Sequence, residues 1–196
     1  MQSNIEIEAK VLLSKDEYNK IIKYLHLERY KKIKQINHYV DSKDRILKQH
    51  DFALRIRETS EFVLTLKTPL SEGLLEKNQS ISWRDYTELE DKKAFPNGNI
   101  KRFLEICGFC ISDLEVLASL TTHRVELEID EGLLCLDENI YGANNELTDY
   151  ELEIESTSME NAKDAVKKIL NEVGIESFKF NNRSKQSRAI DAIINK

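Results

Sequence analysis

The stretch Ile5-Glu6-Ile7-Glu8-Ala9-Lys10 alternates apolar and charged side chains without a break. Successive side chains of an extended chain point to opposite faces, so Glu6, Glu8 and Lys10 line one side and Ile5, Ile7 and Ala9 the other. Alternation of this kind belongs to an antiparallel strand with its oily face on a core and its polar face in water. Whether water is what meets the charged face depends on the remaining strands.

Five further runs alternate in the same way. In Ala53–Arg57 (ALRIR), Arg55 and Arg57 oppose Leu54 and Ile56. In Val63–Lys67 (VLTLK), Lys67 falls with Thr65, opposite Leu64 and Leu66. In His123–Ile129 (HRVELEI), Arg124, Glu126 and Glu128 oppose Val125, Leu127 and Ile129. Asp137 shares a face with Cys135 in LLCLD. In Tyr150–Glu155 (YELEIE), Glu151, Glu153 and Glu155 oppose Tyr150, Leu152 and Ile154.

Signs segregate by strand: the first and last runs are mostly acidic and the second and third purely basic. Like charges opposite each other across strands repel, so a merely solvated sheet intersperses them. Segregated faces therefore point to ligands of opposite sign. Carboxylates at i and i+2 lie about 6.6 to 6.8 Å apart along a strand and converge on one small cation. Oxygen donors without His or Cys favour Mg²⁺ or Mn²⁺ over zinc. Paired arginines present planar forks, and lysines point charges, to phosphate oxygens.

A chain of 196 residues, 40% apolar and 33% charged, suits a single domain over residues 1–196. A net charge of −6 excludes a broad basic surface, so no nucleic-acid partner is expected and any anion site is local. No apolar run reaches the roughly 20 residues that span a bilayer, and no hydrophobic signal core precedes the first strand; a cytoplasmic protein without a membrane partner is expected. Cys107 and Cys110 form a CxxC at the end of a helical segment with no βαβ pattern around it, and only Cys135 remains beyond them. They read as reduced thiols, neither a redox pair nor a zinc site.

Helix signals sit between the alternating runs. Ser14 with Glu17 forms a capping box before Tyr18, Ile21, Ile22 and Leu25, and residues 82–94 and 99–107 are predicted helical. Ser112 with Glu115 predicts a short helix through Leu120. Thr157 with Glu160 opens a long helix from Met159 to Val173, which Gly174 closes. Residues 183–194 read as a loop and terminal helix. The expected class is α+β, with a strand-rich meander forming a barrel or strongly curved sheet and helices packed outside.

The ordered set Glu6-x-Glu8-x-Lys10, Arg55-x-Arg57, Lys67 of TLK, Arg124 of THR, Asp137 of CLD, Glu151-x-Glu153 and Ser184-Lys185 resembles the CYTH domains, the triphosphate tunnel metalloenzymes. The resemblance spans nearly the whole chain. It implies an eight-stranded antiparallel β-barrel whose tunnel carries these charges, and a divalent-metal-dependent triphosphatase using Mg²⁺ or Mn²⁺. Inorganic tripolyphosphate is the first candidate substrate and thiamine triphosphate the second; an adenylate cyclase or a non-catalytic polyphosphate- or nucleotide-binding module is the alternative. By resemblance Lys10, Arg55, Arg57, Lys67, Arg124 and Lys185 grip the substrate, and Glu6, Glu8, Asp137, Glu151 and Glu153 serve the metal. Lys10, Glu151 and Glu153 are the catalytic candidates. Lys185 and Asp137 rest mainly on the resemblance; the others were already singled out by strand parity.

Many members carry an arginine and a glutamate at alternate positions after the TLK strand, where this chain supplies only Glu76. The roles of Glu76, Glu126, Glu128 and Glu155 stay open, as does the choice between monomer and homodimer. Tyr39 is expected in packing, Trp83, Phe103 and Phe109 in cores or helix contacts, and His38 and His123 at the surface.

Overall fold

The computed structural model describes residues 2–142 and 147–194. It is an α+β fold with nine strands among the described residues, six α-helices and two short 3-10 turns. Every strand pairing with a described register is antiparallel. Among the described residues no helix is long and apolar enough to cross a membrane. Two compact units emerge, one built on Ile36–Leu120 with Met1–Ile5 and Lys185–Lys196, the other on Glu6–Gln35 and Thr121–Ser184.

The first unit contains β1 (Gln2–Glu6), β4 (Ala53–Glu58), β5 (Phe62–Pro69), β6 (Leu74–Ile81) and most of β3 (Ile33–Asp41), in the order β1-β6-β5-β4-β3. Register sets Leu54 beside Leu66 and Ile56 beside Leu64. That face meets α3 (Trp83–Lys92) through Tyr86 and Leu89, and α4 (Asn99–Ile106) through Ile100 and Leu104. Burying each such aliphatic side chain contributes about 1.5–3 kcal/mol. A short α2 (Ile46–Gln49) adds Leu47 to the same core. Asp41 is wholly buried because its carboxylate accepts the N–H groups of Ser42, Leu47 and Lys48, anchoring α2.

The second unit contains β2 (Glu8–Leu13), β8 (Gly132–Tyr141), β9 (Leu147–Glu155) and most of β7 (Glu115–Ile129), in the order β7-β8-β9-β2. Val11, Leu134, Leu136, Leu152 and Ile154 pack on α1 (Lys15–Tyr24) and α5 (Met159–Glu172), which contribute Ile21, Val166, Ile169 and Leu170. Gly132 opens β8 at φ +146°, where an added Cβ would stand 2.0 Å from the carbonyl oxygen of Glu155. Only glycine fits there.

Several local expectations hold. The Ser14–Glu17 capping box is formed, and Ser82 with Asp85 forms a second one at α3. Gly174 follows α5 at φ +72°, as a helix terminator does. Others need correction. The first alternating run is divided at Ile7, because β1 lies beside β6 and β2 beside β9, so one expected strand becomes two and the described strands number nine instead of eight. Ser112 and Glu115 do not start a helix: Ile111–Asp113 is a 3-10 turn, and Glu115 begins a strand of 15 residues. The N-cap of α5 is Ser158, accepting from the Asn161 N–H, and not Thr157. Trp83 is 66% exposed at the start of α3, and His38 is buried, bonded to Ser119 and Glu58 and in tilted ring contact with Tyr86.

Candidate functional site

In the first unit the face opposite the core is cationic. Arg55 stands in register with Thr65 and Tyr39, and Arg57 with Val63 and Asn37, so the parity that buries Leu54 and Ile56 sends both guanidinium groups the other way. Lys67 lies across from Glu76, its ammonium 3.3 Å from the carboxylate, and Arg55 approaches the same carboxylate at 3.8 Å. Burial pushes the Glu76 carboxyl up, but Lys67, Arg55 and the Asn78 amide together outweigh it and hold its pKa low. Glu76 is thus a counter-ion within a basic set, which gives the position a role that sequence alone had left open.

A cavity of about 610 Å³ opens on this face. It is lined by Arg55, Arg57, Glu61, Val63, Thr65, Glu76, Asn78 and Ser80, and no aromatic ring is among them. Arg57 Nε donates to Asn37 at 3.2 Å, and Thr65 to Asn78 at 2.7 Å. Lys185 is the first residue of α6 (Lys185–Ile194). Its charge, with those of Arg55, Arg57 and Arg188, acts on the phenol of Tyr39, whose pKa burial nevertheless keeps raised. Tyr39 is buried, as a packing residue is expected to be, and its hydroxyl has no hydrogen-bond partner.

In the second unit the corresponding face is acidic. Register sets Glu8 beside Glu155, Lys10 beside Glu153, and Asp137 beside Glu151. Two carboxylate triads result, Glu6 with Glu8 and Glu155, and Asp137 with Glu151 and Glu153; within each, one oxygen per residue lies within 4.8 Å of the others. Glu6, Glu8 and Glu155 are half-buried, whereas the second triad is fully buried. Burial first, and then the Glu6 charge, raise the Glu155 carboxyl; Arg124 opposes them and Glu8 and Glu153 add to the rise.

Arg124 binds Asp137 through Nε at 2.8 Å and Nη2 at 2.7 Å, and Nη2 also reaches Glu153 at 2.5 Å. Burial disfavours its charge, but Asp137 and then Glu153 more than compensate, so its pKa lies well above the ordinary value. Lys10 pairs with Glu8. Asn181 donates to Glu151 at 3.1 Å, and its own N–H donates to the Lys10 carbonyl at 2.8 Å, fastening β2 beside the triad. Thr122 of β7, Asn139 and Tyr141 of β8 and Asp149 of β9 form a hydrogen-bonded chain on the same face. Glu126 is half-buried and Glu128 exposed, and neither belongs to a triad.

All donors in both triads are carboxylate oxygens, the set that suits a hard divalent ion and not a thiophilic one. Clustered carboxylates repel unless a proton or cation intervenes, and at Glu155 the charges of Glu6, Glu8 and Glu153 add to burial, the larger cause, in raising its proton affinity. The residues thus fit Mg²⁺ or Mn²⁺. Parity could find Glu155 but not its company, because the Glu8–Glu155 register joins strands at opposite ends of the sequence. Asn37 and Arg188 carried no motif, although Arg188 follows Lys185 at helical spacing.

Comparison with known proteins extends these observations. The model of the CYTH domain matches residues 4–184. The chain is 36% identical over 186 residues to "Putative triphosphatase YjbK" of Bacillus subtilis (strain 168), covering 93% of this chain and 94% of that protein. The crystal structure of a "putative adenylate cyclase (bh2851)" from Bacillus halodurans is 36% identical, with a TM-score of 0.86 over 96% of this chain and 98% of that one. "Putative adenylyl cyclase HpAC1" from Hippeastrum, described as having a dominant triphosphatase activity, is 26% identical, with a TM-score of 0.74 over 96% of each chain. A family match across nearly all of the sequence, together with these relatives and the ordered charged strands, makes the chain a member of the CYTH domain family.

Proposed function

We propose that this CYTH protein is a divalent-metal-dependent triphosphatase whose first substrate is inorganic tripolyphosphate. The observation that carries the substrate choice is the composition of the 610 Å³ cavity, where two arginines, small polar groups, two carboxylates and a valine meet without an aromatic ring on which a base or thiazolium would stack. The activity described for the Hippeastrum relative and the name of the Bacillus subtilis one support the same reaction class.

In this reading Arg55, Arg57, Lys67, Lys10 and Lys185 bind phosphate oxygens by charge and by planar, fork-like donation. Arg124 also holds Asp137 and Glu153 in place, a positioning role beside the substrate contact that the family resemblance implies. Glu6, Glu8, Asp137, Glu151 and Glu153 would hold Mg²⁺ or Mn²⁺, with Glu155 completing the outer triad. A bound ion would neutralise phosphate charge and ease deprotonation of water. Water attacks the terminal phosphorus in line, Glu151 or Glu153 accepts its proton, and the P–O bond to the departing pyrophosphate breaks as the cations take up the charge developing on that leaving group. Lys10 serves where the charge changes, between its partner Glu8 and its neighbour Glu153. Products are phosphate and pyrophosphate.

The test is phosphate release from tripolyphosphate, thiamine triphosphate and ATP, each with Mg²⁺ or Mn²⁺. Tripolyphosphate should turn over fastest, and Glu153→Gln should abolish turnover. Preferred cleavage of thiamine triphosphate, or cAMP formation from ATP, would replace the substrate; metal-independent binding without turnover would leave a polyphosphate-binding module.

A further inference from the structure

Charge on α6 is confined to one side. Lys185, Arg188 and Asp191 stand at i, i+3 and i+6, which on a helix is a single ridge. Ala189 and Ile190 are buried. The last member of the ridge, Asp191, is 3.0 Å from Nη1 of Arg45, in the segment between β3 and α2. Arg45 adopts left-handed backbone, φ +59°, a conformation that a long side chain holds only against strain. This ion pair ties the end of β3 to α6.

One turn before Asp191, Arg188 is 8% exposed. Together with Lys185 it acts from α6 on the buried hydroxyl of Tyr39, while Arg55 and Arg57 act on it from β4. Four cations on two elements thus bear on one group. Four buried donors in the same unit have no hydrogen-bond partner: the Tyr39 hydroxyl, Arg55 Nε, and Nε and Nη2 of Arg45. A buried donor left without an acceptor is unfavourable. Gathered cations and orphaned donors are both relieved by an anion with many oxygens.

We propose that Arg188 is a substrate-positioning residue that, beside Lys185, takes phosphoryl oxygens of the triphosphate from the α6 side, and that the Arg45–Asp191 pair holds α6 where it can do so. This rests on the triphosphatase reading and adds a contact that the Ser-Lys motif does not include. A guanidinium offers two parallel donors to one phosphoryl group where an ammonium offers a point charge. Lysine at 188 should therefore restore only part of the effect.

The experiment measures kcat and KM for tripolyphosphate with Mg²⁺, and the rise in Tm that tripolyphosphate causes without metal, for wild type, Arg188→Ala, Arg188→Lys, Asp191→Asn and, as reference, Arg57→Ala. Arg188→Ala should raise KM about tenfold or more with a smaller change in kcat, and should diminish the Tm rise. Arg188→Lys should recover part of both, and Asp191→Asn should raise KM less. If Arg188→Ala does not fold, Arg188→Gln is judged by the same criteria. Wild-type KM and a wild-type Tm rise in the position 188 variant, while Arg57→Ala loses both, would overturn the inference and leave the triphosphatase reading intact. Neither turnover nor a Tm rise in wild type would remove both.

Discussion

The first unit carries arginines and a lysine on alternate positions of β4 and β5, with neutral Thr65 and Asn78 between them and a single carboxylate, Glu76, placed against two of the cations. The second unit reverses the signs: carboxylates from β2, β8 and β9 form triads, and Arg124 is the buried cation set against two of them. Each face thus contains a minority ion of opposite charge. A face of one sign is costly to assemble, and an embedded counter-ion lowers that cost while leaving an excess for a ligand. The counter-ions differ in burial, since Arg124 and its partners are almost fully enclosed whereas the Glu76 set lines an open cavity. Substitutions should expose that difference.

The largest effect is expected at the buried end. Glu153→Ala removes a partner from an enclosed guanidinium, a change that typically destabilises by about 3–5 kcal/mol. Chemical denaturation should show that loss, and phosphate release should cease. Arg57→Ala, on the open face, should lower kcat/KM by about 10²-fold with a much smaller change in stability. Equal stability losses in the two variants would erase the distinction between the units.

Titration sharpens the contrast because the two carboxylates shift in opposite directions. The Glu155 pKa is raised, so its contribution to stability is present below the ordinary carboxylate pKa and is lost as pH rises through its folded value. Glu76 is lowered, so its contribution is present above the ordinary value and is lost as pH falls through its folded value. Tm–pH profiles, each subtracted from wild type, should therefore slope in opposite senses for Glu155→Gln and Glu76→Gln. Mg²⁺ should offset the loss on the Glu155 side only.

The smallest effect should be the same in both units. Ser14→Ala and Ser82→Ala each remove a capping box, one per unit, and each should cost about 1 kcal/mol with no change in KM. Unequal costs would mean that one unit unfolds independently of the other.

Much of this was legible from alternation alone. ALRIR and YELEIE specify which side chains share a face because a strand has a period of two, and the apolar half of each run names the core. Parity does not specify neighbours. That Glu155 joins Glu6 and Glu8 depends on a register between strands far apart in sequence, and that Arg124 clamps Asp137 and Glu153 depends on how three successive strands lie side by side. Ser112 and Glu115 misled because a capping pattern is local, whereas Glu115 belongs to a strand of 15 residues that runs on to the alternating His123–Ile129. His38 differs from a surface histidine through Ser119, Glu58 and Tyr86, none of them adjacent to it in the chain. Arg188 was hidden for another reason: a cation on an amphipathic helix resembles ordinary solvated charge until the elements beside it are known.

Gly132 gives the acidic unit an unusual dependency. Since a Cβ there would stand 2.0 Å from the carbonyl of Glu155, the seat of the outermost carboxylate is defined by a hydrogen atom where every other residue has carbon. A single methyl group, uncharged and remote from any phosphate, would push that strand end outward and loosen the grouping with Glu6 and Glu8. Under the proposed function, ion affinity would thus be tuned by steric emptiness as well as by charge.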